Sequence, residues 1–323
     1  MRPIRSILVP VANYSARSLP VVNKAAQLAA ALSARLELFH DLANPIAIEA
    51  LESPGYTLKS LKANTREPAI EGLERLAAPL RARGLRVSIA AAWDYPPYEA
   101  ILRRAVAIGA DLIVAPRRDR HRLPALLGYT DWELLRLSPI PVLLVKTAAP
   151  YRRPTVLAAI DPTHAHAKPS GLDERILDYG AQVGRALRGA LHVVHAYVPQ
   201  PLPPTLTFDT KRREGLLAEA EYEARQTFDH ALVKRAISSL RRHLVRGEPV
   251  AVIPATARKT HSAIVVIGAV SRSALKRLFI GNTAESVMDE LRCDLLVVKP
   301  AKFVRQGRRA RRGPQFVSIA PQL

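Results

Sequence analysis

Residues 264–285 read Ile264-Val-Val-Ile-Gly268-Ala-Val-Ser271-Arg-Ser-Ala-Leu-Lys-Arg-Leu-Phe-Ile-Gly281-Asn-Thr283-Ala-Glu285. Four consecutive apolar residues, three of them β-branched in a row with a fourth at Ile267, read as a strand buried on both faces, and Gly268 ends it. Gly281 stands just ahead of a helix start at Thr283. The same pattern occurs earlier: Gly128-Tyr-Thr130 through Lys146 aligns with Gly281-Asn-Thr283 through Lys299 at an offset of 153, and Ile7-Leu-Val-Pro-Val aligns with Val156-Leu-Ala-Ala-Ile at 149. The chain is therefore a duplication.

Each half alternates short apolar runs with longer helical stretches, the signature of parallel strands joined by crossover helices. The first half predicts strands at Ile4 to Pro10, Arg35 to His40, Leu85 to Ala92, Asp111 to Ala115 and Val142 to Val145. The second predicts them at Thr155 to Ile160, Leu191 to Tyr197, Arg242 to Arg246, Ala263 to Ile267 and Leu295 to Val298. Long polar helices fall at about Thr65 to Arg83 and Lys211 to Leu232, each preceded by a proline-bearing loop. The expectation is α/β: two tandem domains over residues 1–147 and 155–300, each a five-stranded parallel sheet with helices on both faces. Residues 148–154 form a short linker and 301–323 a basic tail.

A chain of 323 residues with 48% hydrophobic side chains can bury two cores. Its single cysteine, Cys293, excludes a disulfide framework and reads as a small core residue in a reducing compartment. The apolar run from Ile7 to Ala12 is too short for a signal-peptide core or a membrane span, so a soluble cytoplasmic protein is expected. Net charge is +20, and residues 301–323 carry six basic side chains and no acidic one. With Gly307, Gly313 and Pro314 among them, Lys302 to Arg312 read as a disordered arm. Two readings of that arm stand, a solubilising tail or weak, salt-dependent attachment to a nucleic acid or other polyanion.

In an open parallel sheet, ligands sit beyond the carboxyl ends of the strands where the strand order reverses. This singles out Asp161 after the first strand of the second half, His195 near the end of the next, and the loop from Gly268 to Thr283. Glycines let a backbone approach a phosphate closely, and the free N–H groups of a helix start attract anions. Alternatives stay open: Gly268 and Gly281 as plain turn residues, Asp161 before Pro162 as a turn or cap, and His195 as a hydrogen-bonded strand-end residue.

Through these motifs the chain resembles the universal stress protein family over about residues 3–300. Nucleotide-binding members carry Gly-x2-Gly-x9-Gly-Ser/Thr after the fourth strand and an aspartate after the first. Gly268, Gly281 and Asp161 match, while Ser271 replaces the middle glycine and Asn282 the residue after the last. In the first half Pro116 replaces the first glycine, Arg117-Arg-Asp-Arg-His-Arg122 fills a shorter loop, Ala12 stands at the aspartate position, and only Gly128 and Thr130 persist. Tandem architecture, Gly281-Asn-Thr-Ala-Glu285, Leu291 to Pro300, Thr130-Asp-Trp132 with Leu134-Leu-Arg136, and Trp93 followed by Pro97-Tyr-Glu-Ala-Ile101 are similar to the two-domain members.

The resemblance implies an adenine-nucleotide α-hydrolase-like, Rossmann-like fold and a bacterial cytoplasmic stress-response protein that is not an enzyme. For the two-domain type it implies a link to survival of DNA damage. It implies ATP or another adenine nucleotide in the second domain only. Asp161 would meet the adenine or ribose, Gly268 and Ser271 the phosphates, and Gly281, Asn282 and Thr283 the terminal phosphates. It also implies that the halves pair within the chain through Val142 to Val145 and Leu295 to Val298, and it leaves a homodimer open. A slow ATPase and a polyanion-binding scaffold built on the tail and Arg117 to Arg122 are the alternatives.

Other features read as structure. His164 and His166 belong to a loop, His192 and His195 point to opposite faces of one strand and cannot chelate together, and Arg117 to Arg122 is a solvated charge run. Trp93 and Trp132 read as core or interface aromatics, and Lys146 and Lys299 as sheet-end residues facing water. Gly184-Arg-Ala-Leu-Arg-Gly189 has P-loop spacing but continues Ala190-Leu191 and precedes a strand. The chain has no Gly-x-Ser-x-Gly, His-Glu-x-x-His or Gly-x-Gly-x-x-Gly, so the corresponding hydrolases, metalloproteases and dinucleotide oxidoreductases lack their residues.

Overall fold

A computed structural model describes residues 3–16, 18–42, 58–117, 130–163, 171–199, 210–269, 282–301 and 303, apart from the side chains of 58–64 and 282–285. The chain divides into two compact units, Met1–Tyr151 with Ala301–Leu323, and Arg152–Pro300.

The first unit runs β1 (Ser6–Pro10), α1 (Pro20–Leu32), β2 (Arg35–Asp41), α2 (Leu58–Ala82), β3 (Val87–Ala92), α3 (Pro97–Ala107), β4 (Leu112–Pro116), α4 (Thr130–Leu137) and β5 (Val142–Val145). The second repeats it: β6 (Thr155–Ala159), α5 (Leu172–Ala186), β7 (Ala190–Tyr197), α6 (Thr210–Leu232), β8 (Arg242–Arg246), α7 (Pro249–Lys259), β9 (Ser262–Gly268), α8 (Asn282–Glu290) and β10 (Asp294–Val298). A 3₁₀ turn, Ser239–Arg241, leads into β8. Every expected strand is present, with ends shifted by no more than two residues. Helix α2 begins at Leu58, before the expected Thr65, and accommodates Pro68 and Pro79 in its interior.

Within the first unit the strands lie in the order β3-β2-β1-β4-β5, and within the second β8-β7-β6-β9-β10, all neighbours parallel. Right-handed crossovers then place α1 and α2 on one face of their sheet and α3 and α4 on the other. The central strands are buried on both faces, which is why they read as unbroken apolar runs: Ile7, Leu8 and Val9 in β1 and Ile264, Val265 and Val266 in β9 are fully buried. The outer strands β3 and β8 are half-exposed. Helix α1 buries Val21, Val22, Ala25, Leu28 and Ala29, and it stops at Ser33, whose backbone is left-handed at φ 52°.

Lys24, also on α1, is buried inside the first unit, where its Nζ donates to Thr147 Oγ1 at 2.6 Å and lies 4.7 Å from the ring centre of Tyr151. Gln27 accepts the Tyr151 N–H at 3.0 Å, so the chain as far as Tyr151 is tied to this unit. Cys293 is half-buried and forms no disulfide. Among the described residues no helix is long and apolar enough to cross a membrane. His164, His166 and the basic residues from Arg305 onward lie outside the described residues.

Candidate functional site

In each unit the first strand is flanked by the second on one side and the fourth on the other, so the order reverses between β1 and β4 and between β6 and β9. The carboxyl ends of β6 and β9 are where Asp161 and Gly268 stand. Asp161 follows β6 by two residues, and Gly268 is the last residue of β9.

Asp161 is held in a local turn. Its N–H donates to Asp173 Oδ1 at 3.1 Å, and its Oδ1 accepts from the Thr163 hydroxyl at 3.0 Å. Asp173 belongs to the first turn of α5, where a carboxylate complements the helix N-terminus. The turn role weighed for Asp161 is thus present, and it presents the carboxylate at the strand end. Gly268 has a packing reason to lack a side chain: a Cβ there would stand 2.7 Å from Leu172 Cδ2 and 3.1 Å from Ile176 Cδ1. The glycine lets α5 lie directly over the end of β9.

Asn282 and Thr283 open α8, whose backbone N–H groups face the region after β9, while their side chains lie outside the described residues. Ser271 and Gly281 also lie outside the described residues. What the described part supplies is one carboxylate, a side-chain-free strand end and a helix start. That donor set suits a ligand with a polar hydroxyl or amine at one end and an anion at the other. The Asp161 carboxylate, with that of Asp173 on its own backbone N–H, would repel phosphate, so the anionic end belongs on the β9 to α8 side.

The first unit fills the corresponding place differently. Arg117, directly after β4, pairs with Asp131 in the first turn of α4: Nη1 lies 3.2 Å from Oδ2, with the two side chains 14% and 3% exposed. The guanidinium also lies 5.7 Å from the ring centre of Trp132. A protein carboxylate therefore sits at the helix start that, in the second unit, is the expected phosphate position. This corrects the reading of Arg117 as a solvated residue, since burial beside Asp131 and Trp132 makes it part of the packing; Arg118 to Arg122 lie outside the described residues. Lys299 is likewise not a water-facing residue, being 4% exposed at the end of the buried run from β10, with its carbonyl accepting from Arg175 Nε at 2.9 Å.

His195 is buried on β7 with Nδ1 3.3 Å from the Ile160 carbonyl and its ring 5.9 Å from Phe228. The first unit repeats the contact: His40 Nδ1 lies 2.6 Å from the Val11 carbonyl, with Tyr14 edge-on to the ring at 4.7 Å. Burial holds His40 below its usual pKa despite that bond. The pair fixes the turn after the first strand in both halves, the turn that carries Asp161 in the second. Sequence reading found His195 and missed His40, although Val11 and Ile160 are 149 apart like the first strands, and the histidines are 155 apart like Arg35 and Ala190, which open β2 and β7. Among the described residues no three His, Cys, Asp or Glu side chains are placed to hold a metal ion.

Duplicated sheets with this strand order and a glycine-ended fourth strand define the class. Residues 3–146 and again 153–299 match the universal stress protein family, and the chain belongs to that family. It is 32% identical over 231 residues to universal stress protein E of Escherichia coli K12, spanning 68% of this chain and 70% of that protein. Two solved structures, each 26% identical, share its fold over 95% of this chain with a TM-score of 0.72: a functionally unknown protein from Pseudomonas aeruginosa PAO1, covered over 97% of its length, and a putative universal stress protein from P. aeruginosa UCBPP-PA14, covered over 98%.

Proposed function

We propose that this two-domain universal stress protein acts in the cytoplasm by binding, without catalysis, and that its second unit receives one adenine nucleotide at the carboxyl ends of β6 and β9. The observation that carries the reading is the placement of Asp161 and Gly268 at the carboxyl ends of adjacent strands at the reversal point, with α8 beginning beyond them. Asp161 would accept a hydrogen bond from the ribose or adenine. The backbone around Gly268 and Ser271 and the start of α8 at Gly281, Asn282 and Thr283 would receive the phosphates. The first unit is structural on this reading, its anion position taken by Asp131 against Arg117.

Titration with fluorescent ATP tests it: saturable binding in the parent and none in Gly281→Arg is expected, whereas equal signals in both remove the pocket. Phosphate release above a buffer blank, abolished in Asp161→Ala, would replace binding with slow hydrolysis. The cellular role we infer is tolerance of DNA damage, and a deletion strain is expected to survive ultraviolet irradiation less well; unchanged survival contradicts that role.

A further inference from the structure

At the end of the second unit opposite the candidate nucleotide site, the chain enters each parallel strand through a short junction. Four adjacent junctions carry exposed cations: Arg258 and Lys259 before β9, Arg152 and Arg153 before β6, Arg188 before β7, and Arg241 before β8. Because β9, β6, β7 and β8 are neighbours in this order, the six line one sheet edge. At about 4.8 Å per strand the row extends for roughly 14 Å. Asp229 and Asp178 are engaged by Arg242 at 2.9 Å and Arg235 at 2.7 Å, and the exposed Asp289 and Glu290 stand at the adjoining junction into β10, beyond the row. None of the six side chains forms an ion pair among the described residues.

Arg258 and Lys259 complement the C-terminus of α7, which gives them an ordinary structural reason. Arg152, Arg153 and Arg188 stand outside any helix. Moreover, the non-glycine residues with positive φ described in this unit are Arg153 (46°), Arg188 (54°) and His261 (49°), all at this edge and all basic. Left-handed backbone ends α5 at Arg188 as it ends α1 at Ser33, and because it favours glycine or asparagine, arginine at two such positions carries a cost that the turn itself does not require. Two of the six also reach a pair of titratable rings. His192 and His243 stack on β7 and β8, with Nδ1 and Nε2 2.9 Å apart and ring centres separated by 5.2 Å. Burial, His243 and Arg241 hold His192 below its usual pKa, and burial and Lys259 do the same to His243.

We propose that this edge of the second unit is a docking surface for a nucleic-acid phosphodiester backbone. A roughly 14 Å row faces about eight phosphate charges of a duplex, at one per 1.7 Å of axis. Trp and Phe side chains are absent from the six junction positions, so the surface reads backbone charge and not base sequence. Leu240, 86% exposed beside Arg241, is a single apolar projection, less than an interfacial membrane anchor requires.

The test measures retention of the full-length chain by a 20-base-pair DNA, a 20-nucleotide RNA and phosphatidylserine vesicles across a salt series. One variant combines Arg153→Gly, Arg188→Gly, Arg241→Gln and Lys259→Gln. A matched control neutralises Lys211, Arg212, Arg213 and Arg225 on α6. The four edge changes are expected to flatten the slope of log affinity against log salt by about 3 to 4 for duplex DNA, at about 0.9 per lost phosphate contact. Thermal midpoint should hold or rise, since glycine relieves the left-handed positions, and the control should keep the parent slope. In the parent, added DNA should raise the titration midpoints of the His192 and His243 rings, read by NMR. The DNA and RNA arms distinguish the source of the phosphodiester. An unchanged slope, an equal loss in the control, or retention by vesicles with none by either nucleic acid overturns the proposal.

Discussion

Gly268 belongs at the residue scale because its explanation lies in a contact and not in its own freedom. Adding a methyl group there would press on Leu172 and Ile176, and overpacking of this kind costs about 1–3 kcal/mol. Gly268→Ala should lower the denaturant midpoint by that amount, and combining it with Leu172→Ala should recover less than Leu172→Ala alone loses; a neutral Gly268→Ala contradicts the packing account. Arg117 and Asp131 make a second residue-scale test. Truncating one partner of a buried pair leaves the other uncompensated, at about 3 kcal/mol or more, whereas replacing both by leucine should cost far less. Equal losses in Asp131→Ala and the double variant, by chemical denaturation, would contradict it.

Histidines set a pH dependence at the same scale. His40, His192 and His243 are all held below 6.5 in the folded protein, so the unfolded chain binds more protons once pH falls beneath that value. Stability is complete above about pH 7 and declines as pH drops through 6.5 toward the lowered folded values. His243→Gln is expected to flatten the decline between pH 7 and 5, as read from denaturant midpoints; a slope equal to the parent's would show that the stacked pair plays no part. None of these pairings was legible in the sequence, because their members come from different strands or helices: His192 lies 51 residues from His243, and Arg104 lies 67 from Glu37, which it grips through two bonds of 2.6 and 3.0 Å.

At the scale of elements, the two long helices differ. Helix α2 carries a continuous buried stripe, Ala69, Leu73, Leu76, Ala77 and Leu80, against β2 and β3. Helix α6 buries only Ala224, Phe228 and Leu232, all in its second half. Amides of residues 211–221 should therefore exchange hydrogen much faster than those of 224–232, and Leu73→Ala should cost about 2–5 kcal/mol. Uniform protection along α6, by hydrogen-exchange mass spectrometry, would contradict this. The strands were readable because burial on both faces leaves unbroken apolar runs, as in Ile264 to Ile267. Helix α2 begins earlier than expected, at Leu58 and not about Thr65, because the proline-bearing loop before it ends sooner than its polar composition suggested. The site was half legible: spacing pointed to Asp161 and Gly268, while Leu172 over Gly268 and Asp173 on Asp161 come from α5 and leave no mark near the motif.

Considered as a whole molecule, the chain holds one domain twice, and the copies have diverged at the reversal point of the sheet. One places Arg117 against Asp131 there; the other leaves a glycine-ended strand facing a helix start. The row of six cations lies at the opposite end of the sheet from Asp161 and Gly268, so nucleotide and polyanion would be received at separate places on one scaffold. The count of nucleotide per chain tests this asymmetry most directly. Native mass spectrometry of the purified protein with excess ATP should show one adenine nucleotide per 323-residue chain and none in Gly281→Arg, whereas two per chain, or one that survives Gly281→Arg, would contradict it.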